Sequence, residues 1–421
     1  MRNVFDQYDG LENRVTHALV TALAEDPRLL RAFLKDIARC PAPRGADLQV
    51  KEQGIPGERE LGEAEAEKRS LPDASIHDGE RWALLIESKV TAPVRVDQLH
   101  RHLAMAARQG FDHARLLLIT AAPHTGQVPS EVLAVLWKDL YAWLRRHDRE
   151  SKWAARAAEF FEVTEARLVD QPGSFEGSMT TFSGFPFGSD RHYNYGEAKR
   201  VLRLAVEELR KRSDLAQQLS MDRDGVGRPA ITGRDGESVW DFLPLRVARG
   251  ARLFTLYPHL TIAIGRSDVL AHITLPNGIA PPLRRRLQSL TRERFGQIIG
   301  EVERNMRPLV KYARGSVPRF IGVQRHYPSQ RSQPIIDARL EFDLRAVSTS
   351  KTDGSLAVKQ QPSLLDAAYA SLQNRRPNYE MALGLALPYR DCAMVRDRKA
   401  LDLVAGAWLA CKPMLEAVLT P

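Results

Sequence analysis

The stretch Leu71-Pro72-Asp73-Ala74-Ser75-Ile76-His77-Asp78-Gly79-Glu80-Arg81-Trp82-Ala83-Leu84-Leu85-Ile86-Glu87-Ser88-Lys89 constrains the chain more than any other. Two strand-like runs flank Asp78-Gly79, a dipeptide suited to the left-handed backbone of a hairpin turn. Val94 to Gln109 then has helical spacing with Gly110 at its end, and Ala114 to Ala121 carries the continuous Leu116-Leu117-Leu118-Ile119 of a buried strand. Strand, crossover helix and strand predict a parallel pair inside a mixed sheet, because a parallel connection needs the length a helix supplies. Upstream, Leu11, Val15, Leu19, Ala22 and Leu23 recur at helical spacing behind Asp9 and Glu12, a capping-box pattern. A second helix is expected from Pro27 to about Arg39, a half-exposed strand over 47–53, and a solvated loop or short exposed helix over 58–69. Val132 to Trp137 reads as a weaker strand, followed by helices around Leu140–Arg146 and Lys152–Leu168. Residues 1–170 are therefore an α/β unit.

The apolar strand ends in Glu87-Ser88-Lys89, which packing alone explains poorly. Strand alternation puts Glu87 and Lys89 on one face and Ser88 on the other, so a carboxylate and an ammonium project together from a largely buried element. Buried charge is costly unless compensated, and a Glu87–Lys89 salt bridge is one compensation. A metal is the other: Asp73 and Glu87 offer hard carboxylate oxygens suited to Mg²⁺, with Lys89 placed to position or deprotonate a water. The metal reading carries a geometric condition. A two-residue turn at Asp78-Gly79 pairs 77 with 80 and puts Asp73 on the face opposite Glu87. A three-residue loop with a bulge pairs 77 with 81 and 73 with 85 and brings them to one face, so the bulged hairpin is expected. Other catalytic patterns are weaker. His100, His102 and His113 lack the HExxH spacing, no glycine-rich phosphate loop precedes a helix, and Ser88 has no adjacent histidine context for a nucleophile.

Pro72-Asp73, then Glu87-Ser88-Lys89 after thirteen residues, on a hairpin with helices before and after, resembles the PD-(D/E)xK nuclease superfamily, the restriction-endonuclease-like fold. The resemblance covers roughly residues 1–165. It implies that Asp73 and Glu87 bind a catalytic Mg²⁺, for which Mn²⁺ can substitute, and that Lys89 assists the water in phosphodiester hydrolysis. Glu12 matches the first-helix glutamate that many members direct at the metal, and Glu-Asn-Arg-Val-Thr is similar to the start of some bacterial defence nucleases. Its alternative is a capping-box bond to the Asp9 backbone, and both readings stand. Gln98 corresponds to the glutamine of the QxxxY motif of one branch; His102 stands where that motif has tyrosine, which reads as a surface group or one that supports the site from behind. DNA is the expected substrate ahead of RNA, and a role in antiviral defence is implied by the resemblance alone.

Charge divides the chain. Residues 1–170 hold 24 Lys+Arg against 27 Asp+Glu, leaving 37 against 25 of the chain's 61 and 52 for the remainder. A basic half suits a polyanion, because each neutralised phosphate releases counterions; a solvated arginine-rich face is the other reading. Within it, Arg284, Arg285 and Arg286, and Arg325, Tyr327 and Arg331, are the candidate nucleic-acid contacts, since they combine phosphate-binding cations with an aromatic. Residues 171–190 bring glycines together with Phe175, Phe182, Phe185 and Phe187, a connecting segment that should dock on a domain surface. From 191 to 421 an α+β domain is expected. It should hold a long basic helix at 195–215, helices at 282–303, 364–372 and 400–419, and strands near 240–248, 253–264, 269–275, 320–325 and 335–344.

Three scattered cysteines, Cys40, Cys392 and Cys411, fit neither a disulfide framework nor a metal site, and no run of 18 apolar residues occurs. A cytoplasmic protein without membrane contact is expected, with a protein partner or a second copy left open. The reading from another class is a nucleic-acid-binding or partner-docking regulator whose nuclease fold is idle.

Overall fold

The computed structural model describes residues 10–52, 71–170, 175–225, 227, 236–251, 253, 256–329, 334–347, 358–373 and 378–420. The chain is mixed α/β and divides into two compact units, Met1–Thr181 and Phe182–Pro421. Asp9, the 58–69 segment and Arg331 lie outside the described residues.

In the first unit, helices α1 (Leu11–Glu25) and α2 (Pro27–Asp36) precede strands β1 (Gln49–Glu52), β2 (Ala74–His77) and β3 (Trp82–Lys89). Helix α3 (Val96–Arg108) crosses to β4 (His113–Thr120), and β5 (Val132–Leu136), α4 (Trp137–His147) and α5 (Lys152–Asp170) complete the unit. The strand order is β1-β2-β3-β4-β5. β1, β2 and β3 are antiparallel, while β3–β4 and β4–β5 are parallel, so the mixed sheet that the strand–helix–strand pattern requires is present. Side-chain alternation divides the burial. Ala74, Ile76, Leu84, Ile86, Leu117 and Ile119 face a large core shared with Val15, Leu19, Phe33 and Phe161. Ala83, Leu85, Leu116 and Leu118 face a smaller one, closed by Leu99 and Ala106 of α3 and by Phe111. Each large side chain so covered contributes about 1.5–3 kcal/mol, which makes β3, apolar on both faces, a rigid support for the residues at its end.

The second unit is a six-stranded sheet of order β10-β9-β11-β8-β7-β6 in which every neighbouring pair is antiparallel. Its strands are β6 (Ser238–Pro244), β7 (His259–Gly265), β8 (Asp268–Leu275), β9 (Val317–His326), β10 (Ile335–Asp343) and β11 (Tyr379–Pro388). Its helices are α6 (Tyr195–Arg210), α7 (Ser213–Gln218), α8 (Pro281–Ser289), α9 (Arg292–Tyr312), α10 (Ser363–Leu372), α11 (Ala400–Ala410) and α12 (Lys412–Leu419). Ile262, Ile273, Leu383 and Leu385 point from the sheet into a core with Phe295, Val302, Met306 and Trp408.

Three expectations are corrected here. The long helices over 195–215, 282–303 and 400–419 are each two helices. Thr291 caps α9 by accepting from the Arg294 amide, and Pro413 sits in the first turn of α12, where its missing N–H costs nothing. β11, near the middle of the sheet, was not anticipated, because Ala382, Gly384 and Ala386 give it few β-branched residues. Gly384 has a reason to be there: a Cβ would lie 2.0 Å from the Ala271 carbonyl oxygen of the neighbouring strand. The phenylalanine-rich segment does dock, but it is divided. Ser178 and Met179 bond to Ala121 and Glu165 of the first unit, whereas Phe182, Phe185 and Phe187 are buried in the core of the second.

Candidate active site

The β2–β3 ladder fixes the site. His77 pairs with Ala83 and Ala74 with Ile86; Asp73 lies just before the first paired residue of β2, beside the end of β3. The register differs from the expected one: His77 pairs with Ala83 rather than with residue 81, Ala74–His77 and Ala83–Ile86 pair without a register shift, and the Asp78 amide donates to the Trp82 carbonyl, which leaves residues 79–81 as the loop. The Asp78 carboxylate accepts from the Glu80, Arg81 and Trp82 amides, which shapes the turn, and Gly79 takes the left-handed conformation at φ 81°. The register differs by an even number of residues, so the faces pair as expected, Ser75 with Leu85 and His77 with Ala83.

Asp73 is half-buried at the start of β2, and its Oδ2 accepts from the Ser88 backbone amide at 2.7 Å and from the Ser88 hydroxyl at 3.0 Å. Thr16 of α1 shares a 2.6 Å hydrogen bond with the same Ser88 hydroxyl, so Ser88 ties the end of β3 to both Asp73 and the first helix. Glu87 is buried, with 1% of its surface exposed. Its Oε1 lies 2.7 Å from Lys89 Nζ without hydrogen-bond geometry, and its Oε2 lies 3.1 Å from His102 Nε2. Burial and the Glu87 charge push the Asp73 carboxyl up to about 7, against the opposing pull of Lys89 and Ser88. Burial also works against ionised Glu87, but the His102 hydrogen bond and the Lys89 charge outweigh it and hold Glu87 below the usual carboxylate range. For Lys89 burial disfavours the ammonium, yet Glu87, Asp73 and Glu12 raise its pKa above the ordinary lysine value. Lys89 is thus a fixed cation that can orient water or a phosphate oxygen; in this state it is no base.

The cap bond expected of Glu12 falls on Asp9, outside the described residues, and the Glu12 side chain has partners that neither expectation named. The helix is capped one residue later than expected, by Gly10, which has no side-chain cap, and Glu12 Oε1 instead accepts from the amides of Val90, Thr91 and Ala92 at 2.8–3.0 Å. Its Oε2 is 4.0 Å from Lys89 Nζ. Glu12 therefore anchors the turn that follows β3 and adds negative charge behind Lys89. Since hydrogen bonds to a charged acceptor are about twice as strong as neutral ones, Glu12→Gln should lower stability in EDTA by about 1–2 kcal/mol. Thermal melts check this; an unchanged or higher melting temperature would return Glu12 to the metal ligands.

His102 is buried against Glu87, which settles its position in favour of support from behind the site rather than the surface. The signal was in the sequence: Leu99, His102 and Ala106 form one buried stripe of α3 at spacings of three and four. His102 Nδ1 is buried without a hydrogen-bond partner. Gln98 is half-buried one turn earlier, and among the described residues no side-chain hydrogen bond joins it to Asp73, Glu87 or Lys89.

The residues present fit a hard divalent ion. Asp73 Oδ1 makes no hydrogen bond among the described residues, and Glu87 Oε1 is a buried acceptor engaged by the Lys89 ammonium at 2.7 Å, so a divalent ion there would take Asp73 Oδ1 and share or displace Lys89 at Glu87. Among the described residues no three His, Cys, Asp or Glu side chains converge.

The candidate nucleic-acid contacts of the second unit are less available than their sequence suggests. Arg286 donates to the Val418 and Leu419 carbonyls at the end of α12, and Arg325 donates to Glu380 at 2.9 Å. Burial lowers the pKa of the half-buried Arg284, while Arg285 and Tyr327 are exposed. No protein-family model matches the chain, and no curated protein matches its sequence. Among the described residues no helix is long and apolar enough to cross a membrane.

Proposed function

We propose that the first unit is a divalent-metal-dependent nuclease that hydrolyses phosphodiester bonds, of DNA in the first instance and of RNA as the second candidate. The observation that carries the reading is the buried Glu87–Lys89 ion pair at the end of β3 beside Asp73, whose carboxyl is raised to about 7 by burial and by the Glu87 charge. A divalent ion at Asp73 Oδ1 and Glu87 Oε1 would supply Lewis acidity at a phosphoryl oxygen and a water of lowered pKa. The chain's own residues supply the rest. Lys89, held cationic by three carboxylates, orients the attacking water and offsets charge on the phosphate. His102 steadies Glu87 from α3, and Glu12 fixes the turn that sets the height of Lys89. Bacterial antiviral defence is the setting that the resemblance of the motif suggests.

One observation favours the idle-site reading: Glu87 already has Lys89 and His102 as partners, so the protein satisfies it without an ion. Metal binding separates the two. Titrating Mn²⁺ into the EDTA-treated protein should raise its melting temperature as saturation proceeds, because an ion that binds only the folded chain stabilises it. The rise should vanish in Asp73→Asn. Equal stabilisation of both proteins would place the ion elsewhere.

A further inference from the structure

The cations of the second unit gather at an end that their sequence positions do not announce. α9 and α11 pack antiparallel, with Leu309 against Gly406 and the Asn305 side chain donating to the Ala410 carbonyl. This brings the C-terminal end of α9 to the N-terminal end of α11. The turn after α9 also touches the segment after β11: Gly315 has φ 87°, and a Cβ there would lie 2.0 Å from the Asp391 carbonyl oxygen. That segment then folds through local backbone bonds, from Cys392 to Pro388 and from Ala400 to Asp397, into the start of α11.

Lys311, Arg314, Arg390, Arg398 and Lys399 are all exposed there, and none forms a salt bridge among the described residues. Two carboxylates, Asp391 and Asp397, lie among these five cations, and Asp397 accepts from the Lys399 backbone amide. Asp402 is offset by Arg212 at 2.6 Å. Tyr312, 55% exposed, is the one large aromatic of the patch. At a rise of about 1.5 Å per residue along helices packed about 8–10 Å apart, the cations spread over roughly 15 Å.

We infer that this end of the second unit is a docking surface for the backbone of duplex DNA. Several unpaired cations spread over a width comparable with the roughly 12 Å major groove suit two lines of phosphates. A single tyrosine is too little for single strands, whose binding needs successive stacking aromatics. The surface differs from the Arg284–Arg286 and Arg325 clusters, where Arg286 and Arg325 hold the fold together.

The test is a salt titration of full-chain binding to a labelled short duplex DNA, with single-stranded DNA and duplex RNA as further arms. EDTA is present throughout, so cleavage does not enter and the result is independent of the nuclease reading. The chain carrying Lys311→Gln, Arg314→Gln, Arg390→Gln, Arg398→Gln and Lys399→Gln should bind at least about tenfold more weakly, and its log–log salt slope should shrink by about 0.9 for each phosphate no longer neutralised. The triple variant of the first three should show part of that change, which keeps the test valid if the fivefold variant folds poorly. Absence of duplex binding at low salt would overturn the inference. So would an unchanged slope in both variants, a weakening confined to Arg284→Gln/Arg285→Gln, or binding through the patch of single strands or duplex RNA in preference to duplex DNA.

Discussion

Glu87→Gln and Asp73→Asn should each lower the divalent-ion-dependent cleavage rate by about 10²–10⁴-fold while the fold survives, since several kcal/mol of transition-state stabilisation is removed and each 1.4 kcal/mol is tenfold. The structure dictates the choice of substitution. Gln at 87 can still accept from His102 and Asn at 73 can still accept from Ser88, so shape and those hydrogen bonds are retained; Glu87→Gln does lose the ion pair with Lys89, which Asp73 and Glu12 continue to offset. Lys89→Ala is a less clean experiment. It leaves the buried Glu87 with His102 alone, and removing one partner of a buried pair costs about 3–5 kcal/mol. Reduced activity in that variant has to be read beside its circular dichroism and melting temperature. Wild-type rates in folded Glu87→Gln would remove the carboxylate from the chemistry.

The second large effect is on stability as a function of pH. The Asp73 pKa is raised to about 7 in the folded chain by burial and by Glu87, against an unfolded value of about 3.9. A carboxyl whose folded pKa is raised favours folding when protonated, so its contribution is complete below about pH 4 and is lost as pH rises through about 7. In EDTA, Asp73→Asn should therefore melt at or near the wild-type temperature at acid pH and above it beyond neutrality, where ionised Asp73 repels Glu87. The difference between about 7 and about 3.9 corresponds to about 4 kcal/mol, so at about 2–4 °C for each kcal/mol the gap should approach about 8–16 °C. A divalent ion reverses the sign for the wild type, because it takes the ionised form and relieves the repulsion; its affinity should rise with pH up to about 7 and then level off. A gap between the two proteins that does not vary with pH would contradict the coupling of Asp73 to Glu87.

The first unit was legible because its signals are local. An apolar run ending in Glu87-Ser88-Lys89, a turn dipeptide and a crossover helix closed by Gly110 each specify their own geometry, and they agree. The misreadings share a cause, which is that the deciding partner is distant in sequence. Glu12 was legible as a helix-start residue, but its amide partners lie 78 to 80 positions away. Arg286 and Arg325 read as phosphate contacts, and their sequence does not show that Val418, Leu419 and Glu380 come beside them. The hairpin register depends on the Asp78 amide meeting the Trp82 carbonyl and on three amides converging on the Asp78 carboxylate, which no two-residue turn rule contains. β11 escaped because its central Gly384 is set by the close approach of Ala271. Lys311, Arg314 and Arg390 gained significance only when two strand ends and two helix ends met.

The most direct test of the central claim is cleavage itself: the full chain incubated with single- and double-stranded DNA and RNA in Mg²⁺, Mn²⁺ or EDTA, beside Glu87→Gln. Hydrolysis of at least one of these substrates in Mg²⁺ or Mn²⁺, abolished by EDTA and by Glu87→Gln, is the result that Asp73, Glu87 and Lys89 predict. Absence of cleavage under every condition, or cleavage indifferent to EDTA and to Glu87→Gln, would contradict it.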